Sequence, residues 1–174
     1  MNMTCKWTFK ERVKLPGDEP LARLLQFYVW ETPVKGVSQK GRLLREYGWE
    51  GPNIRTLQAR MRECSGFPDS KGRFWVGCTC SEVEGQLKDL DRLDGYDCSF
   101  EFAVHTERNS SKTEGLFCLI RNSFAHGSFR INRYGNQRYI AMENRHEGKL
   151  KGRAIIKEET LLEWIKIVKK DPKS

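Results

Sequence analysis

Residues 111–127 read SKTEGLFCLIRNSFAHG, and this stretch predicts one largely buried helix. Ser111 and Glu114 have the spacing of a capping box, in which the first and fourth residues cap each other's backbone N–H groups. An apolar run from Leu116 to Ile120 follows the box. Gly127 is a residue type that commonly follows the last turn of a helix. We therefore expect the fold to be organised around a helix that lies between Ser111 and Gly127.

Four polar side chains appear abruptly at the C-terminal end of this apolar stretch: Arg121, Asn122, Ser123 and His126. At about 100° per residue, Asn122 and His126 lie about 40° apart around a helix, whereas Arg121 and His126 lie about 140° apart. Arg121 therefore has to reach around the helix, or the last turn has to loosen near Gly127. Glu114 precedes Arg121 by seven residues on the same face, where its carboxylate is placed to hold the guanidinium.

These residue types together suit the cleavage of RNA. A guanidinium binds phosphate oxygens through paired hydrogen bonds and stabilises the charge that develops on them. A histidine transfers protons near neutral pH, and an amide orients either group. Attack of a 2′-hydroxyl on its own phosphodiester needs no metal, because the substrate supplies the nucleophile. The alternative is structural: His126 caps the helix end, and Arg121 forms an ordinary ion pair.

Helical patterns dominate the rest of the chain, over residues 18–32, 38–48, 52–64, 81–95 and 158–170. Strand patterns are fewer: a hairpin within 127–145 and a further strand over 153–157, while 99–105 suits a strand or a helix end. We therefore predict a mainly α fold, a helical bundle with a small β-hairpin between the motif helix and the C-terminal helix.

The chain has 174 residues, which predicts a single domain with its own core, residues 1–80 being an N-terminal helical part and residues 81–170 carrying the motif. No apolar segment approaches the roughly 20 residues of a membrane helix, and the N-terminus lacks the apolar segment of a secretory signal. The six cysteines are scattered, so we expect reduced thiols in a cytoplasmic protein. Cys78 and Cys80 lack a second ligand pair, so neither a metal nor a cofactor is expected.

Positive charge is concentrated in the last quarter of the chain. Lysine and arginine number 31 against 23 acidic residues, a net charge of +8, and residues 128–174 contain 12 of the basic residues but only 6 of the acidic ones. Such asymmetry favours an anionic partner, most commonly nucleic acid. The candidate RNA contacts are Arg130, Arg133, Lys149, Lys151 and Arg153. His105 and His146 are expected to serve the surface or the local structure, and the alternative is that they extend the site.

The sequence Arg121-Asn122-x-x-x-His126 resembles the R-N-x-x-x-H signature of HEPN domains. The residues that follow, Gly127-Ser128-Phe129, resemble a bacterial HEPN subgroup with the pattern R-N-S/A-x-x-H-G-x-F. The motif itself covers six residues. Its context, an apolar helix followed by a hairpin and a closing helix, extends the resemblance over about residues 81–170, and residues 1–80 are not matched.

The resemblance implies a helical bundle that forms a symmetric homodimer, in which two copies of the motif face each other across a composite cleft. It implies a metal-independent endoribonuclease that leaves 2′,3′-cyclic phosphate and 5′-hydroxyl ends. A role in a toxin–antitoxin or antiphage system, with an antitoxin or defence partner protein, is implied as well. Arg121 and His126 correspond to the family's catalytic pair and Asn122 to its frequent polar third residue, with Glu114 and Ser123 as supporting residues.

One departure from the family pattern concerns regulation. HEPN proteins paired with a nucleotidyltransferase antitoxin have a tyrosine two residues after the histidine, where this chain has Ser128. Control by adenylylation of that tyrosine is therefore not expected.

Two other functions remain open at this stage. The first is a non-catalytic HEPN module that binds nucleotide or nucleic acid as a scaffold or sensor, and the intact Arg–Asn–His set favours the enzyme over it. The second is a DNA-binding regulator, which only the basic C-terminal quarter suggests, without a clear helix-turn-helix.

Overall fold

The structure is a computed structural model that describes residues 17–37, 41–66, 75–87, 101–109, 111–170 and 172. Its helices are α1 (Glu19–Leu25), α2 (Asn53–Glu63), α3 (Val83–Leu87), α4 (Lys112–Ala125) and α5 (Glu158–Lys169). Its strands are β1 (Val76–Cys78), β2 (Phe102–Thr106), β3 (Phe129–Tyr134), β4 (Gln137–His146) and β5 (Lys149–Lys157). Helix α1 continues into a π-helical turn, Gln26–Trp30, and a 3-10 turn spans Leu44–Tyr47.

The five strands form one mixed sheet in the order β1-β2-β5-β4-β3. Strands β1 and β2 are parallel, and all other neighbouring pairs are antiparallel. The prediction of a mainly α bundle with a small hairpin is therefore wrong: the chain has an α/β fold. The hairpin of β3 and β4 supplies two of the five strands, because β5 pairs with β4 on one side and with β2 on the other.

The burial of β5 explains why this sheet forms. Ala154 and Ile156 belong to the core cluster that includes the long helices, whereas Ile155 belongs to a second cluster on the opposite face. A strand in a small exposed hairpin buries only one face, but a strand between two layers carries a continuous apolar run. The run Ala154-Ile155-Ile156 thus reflects a central strand.

The two faces of the sheet are covered unequally. One face packs against α1, α4 and α5, through residues such as Leu24, Phe117 and Trp164. On the other face, Val83 and Leu87 of α3 pack against the sheet. The larger helical layer holds α4, the helix that carries the motif.

Helix α4 crosses the sheet from β2 to β4, over β5. At its start, a side chain on Gly115 would place its Cβ 2.8 Å from Nδ1 of His105 on β2, so the helix needs a glycine there to come this close. Towards its end, the Ser123 hydroxyl lies 3.1 Å from the carbonyl oxygen of Glu143 on β4. The C-terminal turn of α4 therefore ends beside the C-terminal end of β4.

Many local predictions are confirmed. Asp18 accepts a hydrogen bond from the Leu21 N–H and caps α1, and Ser111 accepts one from the Glu114 N–H and caps α4. Helices α2 and α5 and the hairpin lie where their patterns place them. Of the helix predicted over 38–48, the described part contains only the short 3-10 turn, and 38–40 lie outside it. The helix predicted over 81–95 is described only as far as the end of α3.

His105 is a buried histidine held between β2 and α4. Its ring is almost wholly inaccessible, and its Nδ1–H donates to the carbonyl of Thr106 at 2.9 Å. The buried Nε2 has no hydrogen-bond partner among the described residues. Burial, together with the charge of Lys112, lowers the pKa of His105 to about 4. The prediction that His105 serves the local structure agrees with this position.

We expect His105 to make the fold sensitive to acid. Its pKa in the folded protein, about 4, lies below the ordinary value of 6.5, so the unfolded chain binds the proton first as the pH falls. The contribution of neutral His105 to the free energy of unfolding is therefore complete above pH 6.5 and is lost towards pH 4. Between pH 7.5 and pH 5, the free energy of unfolding should fall by about 2 kcal/mol from this group.

Urea titrations at these two pH values measure the effect, with His105→Asn as the comparison, because asparagine keeps a donor for Thr106 but does not titrate. The variant should lose about 2 kcal/mol less than the wild type over the same interval. Equal losses in both proteins would show that His105 is not held neutral in the folded state.

Candidate functional site

A groove of about 830 Å³ lies at the end of the sheet where β1, β2 and β4 finish and β5 begins. The last turns of α4 form one wall, and the loops after β1 and β2, the last residues of β4 and Lys151 of β5 form the others. Its lining residues are Gly77, Cys78, Thr79, Cys80, Glu82, Thr106, Glu107, Arg108, Cys118, Asn122, His126, Asn144, Arg145, His146 and Lys151. Three lysine or arginine residues and two histidines thus face two carboxylates.

The α4 wall of the groove consists of Cys118, Asn122 and His126, which follow one another at intervals of four residues. The helix ends at Ala125, and His126 is its cap, with a backbone N–H that donates to the Asn122 carbonyl at 3.0 Å. The imidazole is exposed. The structure therefore brings together two of the three predicted catalytic residues, as their spacing indicated.

Arg121 does not line the groove. Its Nη1 donates to Oδ1 of Asn122 at 3.0 Å, while its buried Nε has no partner among the described residues. No ion pair joins it to Glu114 within the part of the chain that the structure describes, so the predicted contact of that carboxylate with the guanidinium is not formed. The Arg121 guanidinium reaches around the helix to the side-chain amide of Asn122, but it does not reach the groove.

Ser123 is buried and serves the packing of α4. Its hydroxyl lies 2.8 Å from the Leu119 carbonyl oxygen and 3.1 Å from that of Glu143. Although predicted as a supporting residue of the site, Ser123 is absent from the walls of the groove, and it ties the motif helix to β4.

A β-bulge places Lys151 in the groove. Asn144 pairs with Gly152 and Arg145 pairs with Leu150, so Lys151 has no residue opposite it. Its Nζ donates to Sγ of Cys80 at 3.1 Å, across the groove from α4. Bulges of this kind commonly turn a side chain towards a site. Of the five predicted RNA contacts, Lys151 is the one that lines the groove.

Arg153, by contrast, is buried within the sheet. Its Nε donates to Oε2 of Glu143 at 2.7 Å, and its side chain is about 1% exposed. The other carboxylate oxygen of Glu143 accepts from Nε of Arg145 at 2.6 Å. The expectation that Arg153 contacts RNA is therefore wrong, because its side chain is sealed inside the fold. It instead supports Glu143, which orients Arg145 at the groove.

The remaining predicted RNA contacts lie elsewhere. Lys149 is exposed at the turn between β4 and β5, opposite His146, but does not line the groove. Arg130 and Arg133 lie on β3, one of the two edge strands of the described sheet. Arg133 is at the far end of the hairpin, where its charge acts on Asp18 and Glu158. The structure thus separates Arg133 from the motif.

Sequence reasoning missed Arg108 and Arg145 as residues of the groove, and it favoured a surface or local-structure role for His146, which also lines the groove. Arg108 follows β2, and its Nη2 donates to the Lys35 carbonyl at 3.1 Å. His146 ends β4 with its side chain about 72% exposed, 3.9 Å from the Glu147 carboxylate. The position of Arg145 and His146 at the start of a tight turn was the available signal, since turn residues between paired strands gather at one sheet end.

Two thiols of the groove, those of Cys78 and Cys118, are held as neutral groups. Burial, with the nearby charge of Glu82, raises the pKa of Cys78 to about 11, and burial also raises the pKa of Cys118. Because the thiolate is the reactive form, these two cysteines are poor nucleophiles near neutral pH. Among the residues that the structure describes, no three histidine, cysteine or acidic side chains are grouped as metal ligands.

No described helix has the length and apolar character needed to cross a membrane. In comparisons with known proteins, no family, no curated protein and no solved structure matches the chain. The functional argument therefore rests on the groove and on the residues that line it.

We expect Glu143→Gln to destabilise the fold by about 3–5 kcal/mol, because it breaks the buried ion pair between this carboxylate and the Arg153 guanidinium. The matched control is Glu147→Gln, which removes an exposed carboxylate four residues later and should change stability by at most about 0.5 kcal/mol. Urea unfolding at pH 7.5 measures both. Equal stabilities of the two variants would show that the pair of Glu143 and Arg153 is not closed in the folded protein.

Proposed function

We propose that this chain is a metal-independent endoribonuclease whose site is the groove at the end of the sheet. The observation that carries the proposal is that Asn122 and His126 line one groove together with Arg108, Arg145 and Lys151. A proton-transfer group and an amide thus share the groove with three cationic side chains and two carboxylates, in a space large enough for nucleotides. A phosphodiester has the charge and size that such a groove accepts.

The proposed reaction is transfer of the phosphoryl group within RNA. The 2′-oxygen forms a bond to the adjacent phosphorus, the bond from phosphorus to the 5′-oxygen breaks, and the 2′-hydroxyl proton leaves to a base. A proton is delivered to the 5′-oxygen, so that the products are a 2′,3′-cyclic phosphate and a 5′-hydroxyl. The guanidinium and ammonium groups of the groove stabilise the additional negative charge in the transition state.

The residues divide this work according to their positions. His126, exposed at the groove, transfers a proton, and Asn122 orients it or the ribose. Arg121 is a positioning residue, since its guanidinium holds the oxygen of Asn122. Arg145 and Lys151 bind the phosphate, the first held by Glu143 and the second placed by the bulge.

The relation to HEPN proteins is proposed on the motif alone, because the five-stranded sheet of this chain differs from the helical bundle that the resemblance implies. The homodimer, the partner antitoxin or defence protein, and the role in a toxin–antitoxin or antiphage system are proposed on the same resemblance. A cytoplasmic location is supported by the free thiols of Cys64, Cys78, Cys80 and Cys118, since thiols persist in reducing compartments.

Purified protein should cleave cellular RNA in the presence of EDTA, and the 5′ ends should be hydroxyls. His126→Ala should slow this cleavage by about 10²–10⁴-fold, because one proton-transfer group contributes that much. Arg121→Ala should also slow it, by releasing Asn122. Circular dichroism checks that both variants remain folded.

A wild-type rate in His126→Ala, or cleavage that requires added magnesium, would contradict the proposal. RNA binding without any cleavage would favour the non-catalytic alternative, in which the groove recognises nucleic acid as a scaffold or sensor.

The groove also predicts how RNA binding depends on salt. Each phosphate that a cation neutralises contributes about 0.7 to the slope of log K against log salt for a single strand. Lys151→Gln should reduce that slope by about this amount, whereas Arg133→Gln, at the far end of the hairpin, should leave it unchanged. A 2′-O-methyl oligonucleotide is the probe, because it lacks the nucleophile. Equal slopes in the two variants would place the RNA outside the groove.

A further inference from the structure

Two histidines from different parts of the chain line the groove. His126 caps α4, and His146 is the last residue of β4. The chain has three histidines, and the third, His105, is buried against Gly115 and cannot reach a substrate. Every exposed imidazole of this protein therefore faces the same space.

Cleavage by a 2′-hydroxyl requires two proton transfers, on opposite sides of the phosphorus. One group removes the proton of the nucleophile while another protonates the leaving oxygen, so a single histidine serves only one of the two positions in a given transition state. Within one chain, a site that contains His126 as its sole imidazole therefore lacks the second group.

Four other titratable groups that line the groove, those of Glu82, Lys151, Cys78 and Cys118, are less suited to this second task. The Glu82 carboxylate accepts hydrogen bonds from the backbone N–H and the hydroxyl of Thr79, at 2.8 Å and 2.6 Å. The ammonium of Lys151 donates to Cys80. The raised pKa values of Cys78 and Cys118 keep those thiols protonated but make them weak acids. The imidazole of His146 is about 72% exposed and beside the phosphate-binding Arg145.

We propose that His146 is a second catalytic residue, which forms a proton-transfer pair with His126 within one chain. One imidazole takes the proton from the 2′-hydroxyl as the 2′-oxygen bonds to phosphorus. The other imidazolium gives its proton to the 5′-oxygen as the bond from that oxygen to phosphorus breaks. The pair rests on the proposed ribonuclease function and adds a residue that the motif does not contain.

The arrangement around His146 supports this role. Arg145, its neighbour in sequence, is fixed by Glu143 at 2.6 Å, and the bulge turns Lys151 into the same groove. A phosphate bound by Arg145 and Lys151 would share the groove with both imidazoles. In-line displacement at phosphorus then requires one imidazole near the 2′-hydroxyl and the other near the leaving 5′-oxygen.

The test compares two RNA substrates that differ in one atom. The first is the oligonucleotide at whose mapped site the wild-type protein cuts. The second carries sulfur in place of the bridging 5′-oxygen at that site, so that the leaving group is a thiolate, which departs without protonation. Cleavage rates are measured in EDTA for the wild type, for His126→Ala and for His146→Ala.

On the natural RNA, both variants should be slower than the wild type by about 10²–10⁴-fold. On the sulfur-substituted RNA, one variant should regain a rate within about tenfold of the wild type, because the histidine it lacks served only to protonate the leaving group. The other should stay slow, because the 2′-hydroxyl still needs a base. An equimolar mixture of the two variants should also stay slow on natural RNA, since each chain lacks half of its own pair.

Three results would overturn the pair: cleavage of natural RNA by His146→Ala at the wild-type rate, equal losses for both variants on both substrates, or recovery of activity in the mixture. His146 is exposed at a turn, so His146→Ala is expected to fold, and its melting temperature checks this. If the wild type cuts RNA and His146→Ala cuts it equally fast, only this inference is removed. A wild type that cuts no RNA removes the proposed function as well.

Discussion

The close approach of α4 to β2 is the constraint on which the candidate site depends. Gly115 has no side chain, so the backbone of the helix lies directly against His105, and a larger residue would push it away from the sheet. From that point α4 crosses β5 and reaches β4, where the buried Ser123 hydroxyl holds its last turns. This path carries Asn122 and His126 to the sheet end where the strand loops gather. The packing of the core thus fixes the direction in which the motif faces.

The opposite wall of the groove depends on one buried carboxylate. Glu143 lies between Arg153, inside the sheet, and Arg145, at the groove, and each of its oxygens accepts one guanidinium N–H. Desolvation makes an unpaired charge at this depth costly, so the three groups hold one another in place. Their net charge is positive, and the accessible part of it is the guanidinium of Arg145. Together with Lys151 in the bulge, the sheet supplies a fixed cationic surface that faces α4.

Local patterns predicted most of the helices and the hairpin, because capping residues and apolar stripes are determined by near neighbours in sequence. The fold class was wrong because it depends on pairing between distant segments: β2 joins β5, about 50 residues later. The alternation of Phe102 and Val104 indicated a strand but not its partner.

The predictions for the site succeeded and failed for the same reason. Asn122 and His126 share a helix face, so their spacing in sequence predicted that they lie together. Arg145 and His146 reach the groove through strand register and a bulge, which local patterns do not show. Sequence alone cannot distinguish an exposed strand arginine from a buried one such as Arg153.

The sequence assigned phosphate binding to Arg121, but the position of this residue indicates that it orients Asn122. This guanidinium does not line the groove, and its Nη1 donates to Oδ1 of Asn122 while its Nε is buried. Its effect passes through the amide, whose oxygen it holds and whose nitrogen remains able to donate. The phosphate charge is left to Arg145 and Lys151, which belong to a different part of the chain. In the proposed reaction, Arg121 therefore positions Asn122, whereas Arg145 and Lys151, which flank the turn between β4 and β5, stabilise the negative charge of the phosphate.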